Sequence, residues 1–85
     1  MSRADRMRQL LQDAFNPDQI DIIDDSHKHK GHGGWREGGE THYRLEISAE
    51  SLKGLSRVKA QQSIYKILKP EFETGLHALS IRVIV

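Results

Sequence analysis

Thr41-His42-Tyr43-Arg44-Leu45-Glu46-Ile47 is the segment that most narrows what this chain can fold into. In an extended backbone Thr41, Tyr43, Leu45 and Ile47 fall on one side, and His42, Arg44 and Glu46 on the other. That two-residue period describes a strand in a sheet with one face on a core and one face toward water. The short β-branched run Ile20, Ile22 and Ile23 precedes it and is the natural partner, because two strands joined by one connection are most simply an antiparallel hairpin.

The flanking sequence supplies helices. Residues from Ser2 to about Phe15 carry Ala4, Met7, Leu10, Leu11, Ala14 and Phe15 at helical spacing, with Arg3, Arg6, Arg8, Gln12 and Asp13 on the other face. Asn16-Pro17-Asp18 stops this helix, since the residue before proline is pushed out of helical geometry. After the central strand, Ser48 reads as the cap of a single turn through about Leu52, ended by Gly54. Ser56 caps a longer helix from Arg57 to about Lys69, with Val58, Gln61, Ile64, Tyr65, Leu68 and Phe72 on its inner face. Pro70 lacks an amide donor and starts a new turn that Gly75 closes. Leu79, Ile81, Val83 and Val85 then alternate with Ser80, Arg82 and Ile84 as a last strand.

The resulting order is αββααβ, an α+β fold with a three-stranded mixed sheet and helices packed on one face. A helical connection between the second and third strands lets them lie parallel. Parallel strands begin at the same end of a sheet. His77, at the start of the third, is thereby expected beside the point where the preceding connection re-enters the second.

That connection is unusual. His27-Lys28-His29-Lys30-Gly31-His32-Gly33-Gly34-Trp35-Arg36-Glu37-Gly38-Gly39 holds three of the five histidines and five of the seven glycines. Connections longer than about 12 residues without structure of their own tend to be functional or disordered. Neutral imidazole is a common nitrogen ligand for iron and zinc. His27, His29 and His32 together with His77 are therefore candidate ligands. No cysteine is present, which removes disulfides, thiolate catalysis and all-cysteine metal sites, and no HExxH or other closed zinc pattern is complete. The plainer readings are solvated side chains for the three loop histidines and a packed core residue for His77, which is in phase with Leu79 and Ile81. His42 reads as structural or surface.

Eighty-five residues suffice for one small domain, here the whole of 1–85. Apolar content of 36% and charged content of 29% fit a globular chain, and no apolar run approaches the roughly 20 residues that span a bilayer. The N-terminus lacks the apolar segment of a secretory signal, so a cytoplasmic location is expected. Asp24, Asp25 and Ser26 adjoin the histidines, but neighbours along a strand alternate faces and do not converge as a triad, and the glycines match no phosphate-cradling pattern. No enzyme is expected. Net charge of +1 confines any nucleic-acid binding to a local patch. Lys53, Arg57, Lys59, Lys66 and Lys69 form such a patch, on two helical segments with a helix-turn-helix outline.

Four separated motifs carry a family resemblance. Asp24-Asp25-Ser26-His27-Lys28-His29, Gly39-Glu40-Thr41-His42-Tyr43-Arg44-Leu45, Gly54-Leu55-Ser56-Arg57 and Gly75-Leu76-His77-Ala78-Leu79-Ser80-Ile81 occur in order, and the chain resembles the BolA family. The resemblance implies the αββααβ fold, similar to the class II KH arrangement, and a non-enzymatic role beside monothiol glutaredoxins in iron–sulfur trafficking and iron regulation. It further implies a 2Fe-2S cluster shared with the glutaredoxin cysteine and glutathione, to which this chain would contribute a loop residue and His77. The isolated chain is expected to be a monomer without bound cluster. Counting forward from Asp24 favours His29 as the loop ligand; counting back from His42 favours His32. His32 is preferred, because glycines flank it and it lies nearer the re-entry point. Ala60-Gln61-Gln62 stands where the family usually has a basic Arg-His-Arg stretch, which weakens the alternative role as a DNA-binding transcriptional regulator.

Overall fold

The computed structural model describes residues 2–25 and 41–84. The element order is α1 (Arg3–Phe15), β1 (Gln19–Asp24), β2 (His42–Ser48), a 3₁₀ turn (Glu50–Leu52), α2 (Arg57–Ile67), α3 (Lys69–Glu73) and β3 (Ala78–Val83). The sheet order is β1-β2-β3. β1 and β2 pair antiparallel from Gln19↔Ser48 to Asp24↔Tyr43, and β2 and β3 pair parallel from His42↔Ala78 to Ile47↔Val83. The expected α+β architecture and its mixed sheet are what the chain forms.

Local chemistry explains the ends of the elements. Ser2 and Asp5 form a reciprocal capping box at the start of α1: the Ser2 hydroxyl accepts from the Asp5 amide at 3.1 Å, and the Ser2 amide donates to the Asp5 carboxylate at 3.2 Å. The Ser2 backbone amide, then its hydroxyl, holds the Asp5 carboxyl below the ordinary aspartate value of 3.8. A lowered folded-state value means this contribution is present at neutral pH and is lost as pH falls through it. Asn16 ends the helix in the left-handed region, φ 46°, returning its amide to the Gln12 carbonyl. Ser56 caps α2 by accepting from the Lys59 amide at 3.2 Å. Ser48 is the last residue of β2 rather than a cap; Ala49 precedes the 3₁₀ turn and offers no side-chain hydrogen bond.

The core lies between the helices and the β2 face made by Tyr43, Leu45 and Ile47. Met7, Leu11, Leu45, Ile47, Ile64 and Leu68 are all fully buried there. Each contributes about 1.5–3 kcal/mol through removal of its side chain from water. The inner face of α2 differs from the sequence expectation. Ala60, Ile64 and Leu68 point inward, whereas Val58 is 62% and Tyr65 39% exposed. The small Ala60 is the residue that meets the core, and Tyr65 lies flank-on, with its ring 5.3 Å from Phe72 and its hydroxyl donating to the Leu79 carbonyl.

A second departure is Arg3, expected on the water face of α1 but only 5% exposed. It sits one turn before Met7 and two before Leu11, on the buried line of the helix. Its Nη1 donates to Glu71 Oε1 at 2.9 Å and to the Glu71 carbonyl at 3.0 Å, and its Nη2 donates to the Thr74 carbonyl at 3.0 Å. Arg6 adds a second guanidinium to the same buried carboxylate. This ties the first turn of α1 to α3. Removing one partner of such a buried pair leaves the other poorly compensated. Glu71→Ala is expected to lower unfolding free energy by about 3 kcal/mol in a urea titration, and Arg3→Met with Glu71→Leu to recover most of it. A loss of under about 1 kcal/mol for Glu71→Ala contradicts this role.

Candidate functional site

Because β2 and β3 are parallel, both start at the sheet end where β1 finishes. Three backbone hydrogen bonds gather there. The Asp25 amide donates to the His42 carbonyl at 2.8 Å, and the amides of His77 and Ala78 both donate to the Thr41 carbonyl, at 2.8 and 3.1 Å. Asp25 is the last described residue before the glycine- and histidine-rich segment and Thr41 the first after it. The re-entry end of that segment is thus fixed beside His77, as the topological argument required, while its start at Asp25 is held on the other side of β2. Arg44 braces the same end by a two-point contact, Nε and Nη2 donating to the Asp25 carboxylate at 3.2 and 3.3 Å.

His77 is exposed. The expectation of a packed core histidine fails, because two successive amides share one carbonyl and the regular strand begins only at Ala78. The alternation that buries Leu79 therefore does not extend back to His77. Its ring lies 5.2 Å, centroid to centroid, from that of His42, at an interplanar angle of 53°.

His42 belongs to the outer face of β2, as the alternation implied, yet it is 5% exposed. Its Nδ1 lies 2.9 Å from the hydroxyl of Thr41, itself 1% exposed. His42 is the residue of this site that sequence reasoning left as structural or surface. It is a shielded support against which the accessible His77 ring rests. Periodicity assigned its face correctly but carried no signal of what covers it.

Chemically, the site offers one open imidazole at the mouth of the sheet. Among the described residues no three His, Cys, Asp or Glu side chains gather to hold a metal ion. A metal at His77 would draw its remaining ligands from residues 26–40 or from a partner. His27, His29 and His32 lie outside the described residues.

The basic patch is less concentrated than its sequence suggests. Arg57, Lys59 and Lys66 are exposed on α2, while Lys53 pairs with Glu50 at 3.3 Å. The helix-turn-helix outline is not realised, since the first of its two helices is a three-residue 3₁₀ turn.

A three-stranded mixed sheet with helices on one face, and an accessible histidine where the glycine-rich segment rejoins it, define a small αββααβ domain of the class II KH-like kind. The family model described as BolA-like protein matches residues 11–85, and the chain belongs to that family. It is 43% identical over 84 residues to the UV-induced protein uvi31 of Schizosaccharomyces pombe, covering 95% of this chain and 82% of that one. Protein BOLA1, chloroplastic, of Arabidopsis thaliana is 42% identical, over 94% of this chain and 51% of its own. A more distant relative from Haemophilus influenzae, 29% identical over 98% of this chain and 77% of its own, is named DNA-binding transcriptional regulator BolA. Among solved structures, the BolA domain of SufE1 from Arabidopsis thaliana superposes with a TM-score of 0.87 at 38% identity, covering 98% of this chain and 91% of that one. No described helix is long and apolar enough to cross a membrane. A chloroplastic relative leaves the cytoplasmic expectation without support from the family.

The Thr41 hydroxyl fixes the His42 ring. Thr41→Val keeps the shape and removes that partner, and is expected to cost about 1 kcal/mol in unfolding free energy. Long-range nitrogen–proton spectra of the imidazoles should show an altered tautomer balance at His42; unchanged His42 nitrogens contradict the assignment.

Proposed function

We propose that the chain acts as a non-catalytic partner of a monothiol glutaredoxin, sharing a 2Fe-2S cluster across the interface between them. The observation that carries this reading is the attachment of the re-entry end of the histidine-bearing segment, at Thr41, beside the exposed His77, with its other end held one strand away at Asp25. The donor set fits a shared cluster. His77 presents an accessible imidazole, whereas the shielded His42, its Nδ1 beside the Thr41 hydroxyl, does not. His77 and a loop histidine together leave the other two positions of the four to the glutaredoxin cysteine and to glutathione. When bound, such a cluster is an electron-accepting group whose potential nitrogen ligation shifts relative to all-sulfur ligation.

His32 is the proposed loop ligand, with His29 second. A chain covers at most about 3.3–3.6 Å per residue, and from Thr41 and Asp25 both histidines have the length to reach His77. This chain's own contributions are to hold His77 at the sheet end and to confine both ends of the segment that carries the second ligand. Ligation needs neutral imidazole, so protons compete with the cluster and acidification weakens cluster sharing.

Mixing the chain with cluster-loaded monothiol glutaredoxin is expected to change the visible circular dichroism spectrum, and His77→Ala to abolish that change. Of His32→Ala and His29→Ala, the former should have the larger effect. A spectrum that does not respond to the chain, or that is indifferent to His77→Ala, sinks the mechanism.

A second reading, DNA binding through the α2 surface, draws on the name of the Haemophilus relative and on the exposed Arg57, Lys59 and Lys66. It requires affinity that falls steeply with salt, with Arg57→Ala and Lys59→Ala each flattening that dependence by about one unit of log–log slope. Lys53 contributes less, because Glu50 already neutralises it. Binding indifferent to salt and to these substitutions removes this reading.

A further inference from the structure

The far end of β3 carries a feature unrelated to the histidines. β3 is an edge strand, and its hydrogen bonds to β2 fix which backbone groups face outward. The Ala78 and Ile84 amides donate to the Thr41 and Ile47 carbonyls of β2, so even-numbered residues of the strand turn toward β2. Odd-numbered residues turn outward. The outward Leu79 carbonyl accepts from the Tyr65 hydroxyl at 3.1 Å. Ile81 and Val83 come next, and their outward N–H and C=O groups meet no partner among the described residues.

These groups border a groove of about 520 Å³ between β3 and the start of α2. Leu52, Leu55, Ile81 and Val83 give it an apolar floor, and Arg57 and Arg82 contribute to its lining, Arg82 alternating with the inward-facing Ile81 and Val83. Its described lining contains no carboxylate. Arg82 lies opposite Glu46 in the ladder, yet neither it nor Arg57 makes an ion pair among the described residues.

We propose that this groove binds an extended acidic peptide segment of a partner protein, which adds as a fourth strand along Ile81–Val83 and sets its carboxylates against Arg57 and Arg82. Strand addition is the recognition mode that uses unpaired edge groups spaced two residues apart. The apolar floor takes alternate side chains of the incoming strand, Arg82 on the opposite sheet face meets acidic residues at the positions between, and Arg57 at the start of α2 adds positive charge on the groove side. Single-stranded nucleic acid fits less well, because no aromatic ring among the described residues lines the groove for a base to stack on.

The test is fluorescence polarisation with a labelled octapeptide in which glutamate alternates with valine or threonine. Parallel arms use the same peptide with lysine for glutamate, the same peptide N-methylated along its pairing edge, and a labelled oligothymidine. The acidic peptide alone should bind, with amide shifts centred on Ile81 and Val83 in the nitrogen–proton spectrum of the unaltered protein. Arg57→Glu with Arg82→Glu should weaken binding by roughly tenfold or more. Val83→Pro removes an outward N–H without touching the ladder to β2, and should weaken binding similarly, with unchanged melting temperature confirming the fold. Binding of oligothymidine in place of the peptide, equal affinity for the N-methylated peptide, or shifts that avoid β3 would each overturn the proposal.

Discussion

The Thr41 carbonyl, which accepts both the His77 and the Ala78 amide, is the contact on which the arrangement of this domain turns. It opens the parallel ladder between β2 and β3 and so fixes the register that carries Leu79 into the core. It also ends the alternation one residue early, so that His77 escapes the core and lies against His42. The side chain of the same threonine engages His42 from the other direction. One buried residue thus sets the strand register, the exposure of the candidate ligand and the support beneath it. Substitutions at Thr41 should perturb the site even though its side chain is not proposed as a ligand.

The fold was legible wherever local periodicity and long-range packing agree. The alternation from Thr41 to Ile47 identified β2, the face it buries and the face on which His42 lies. The helical connection implied a parallel third strand, which by itself brings His77 to the re-entry point. Legibility failed where a distant partner overrides local pattern. Arg3 reads as a water-facing residue until Glu71, at the other end of the chain, supplies a buried carboxylate. Val58 and Tyr65 look like core residues by hydropathy, but the face of α2 that meets the sheet is set by Ala60, whose small side chain permits close approach. Ser48 has the composition of a cap, yet the β1–β2 ladder runs as far as Gln19↔Ser48 and claims it.

The candidate site divides in the same way. Convergence of His77 with the re-entry end of the connecting segment followed from topology. The exposure of His77 and the burial of His42 did not: the first depends on a local irregularity at the start of β3 that a two-residue period cannot express, and the second on cover that the alternation of β2 does not encode. The BolA-like family match and the αββααβ fold agree with the motifs read from the chain. β3 then links two surfaces of different chemistry, an imidazole at its start and an arginine-flanked edge at its end. Separate partner contacts at the two ends would let one small domain hold a cluster-bearing protein and an acidic peptide together.

Cluster ligation by this chain is tested most directly by electron spin echo spectroscopy on the reduced complex, with this chain labelled with nitrogen-15 and the glutaredoxin and glutathione unlabelled. Strongly coupled nitrogen-15 at the reduced cluster, diminished in His77→Ala, is the result the account predicts. A reduced cluster in the intact complex that shows no strongly coupled nitrogen-15 would contradict it.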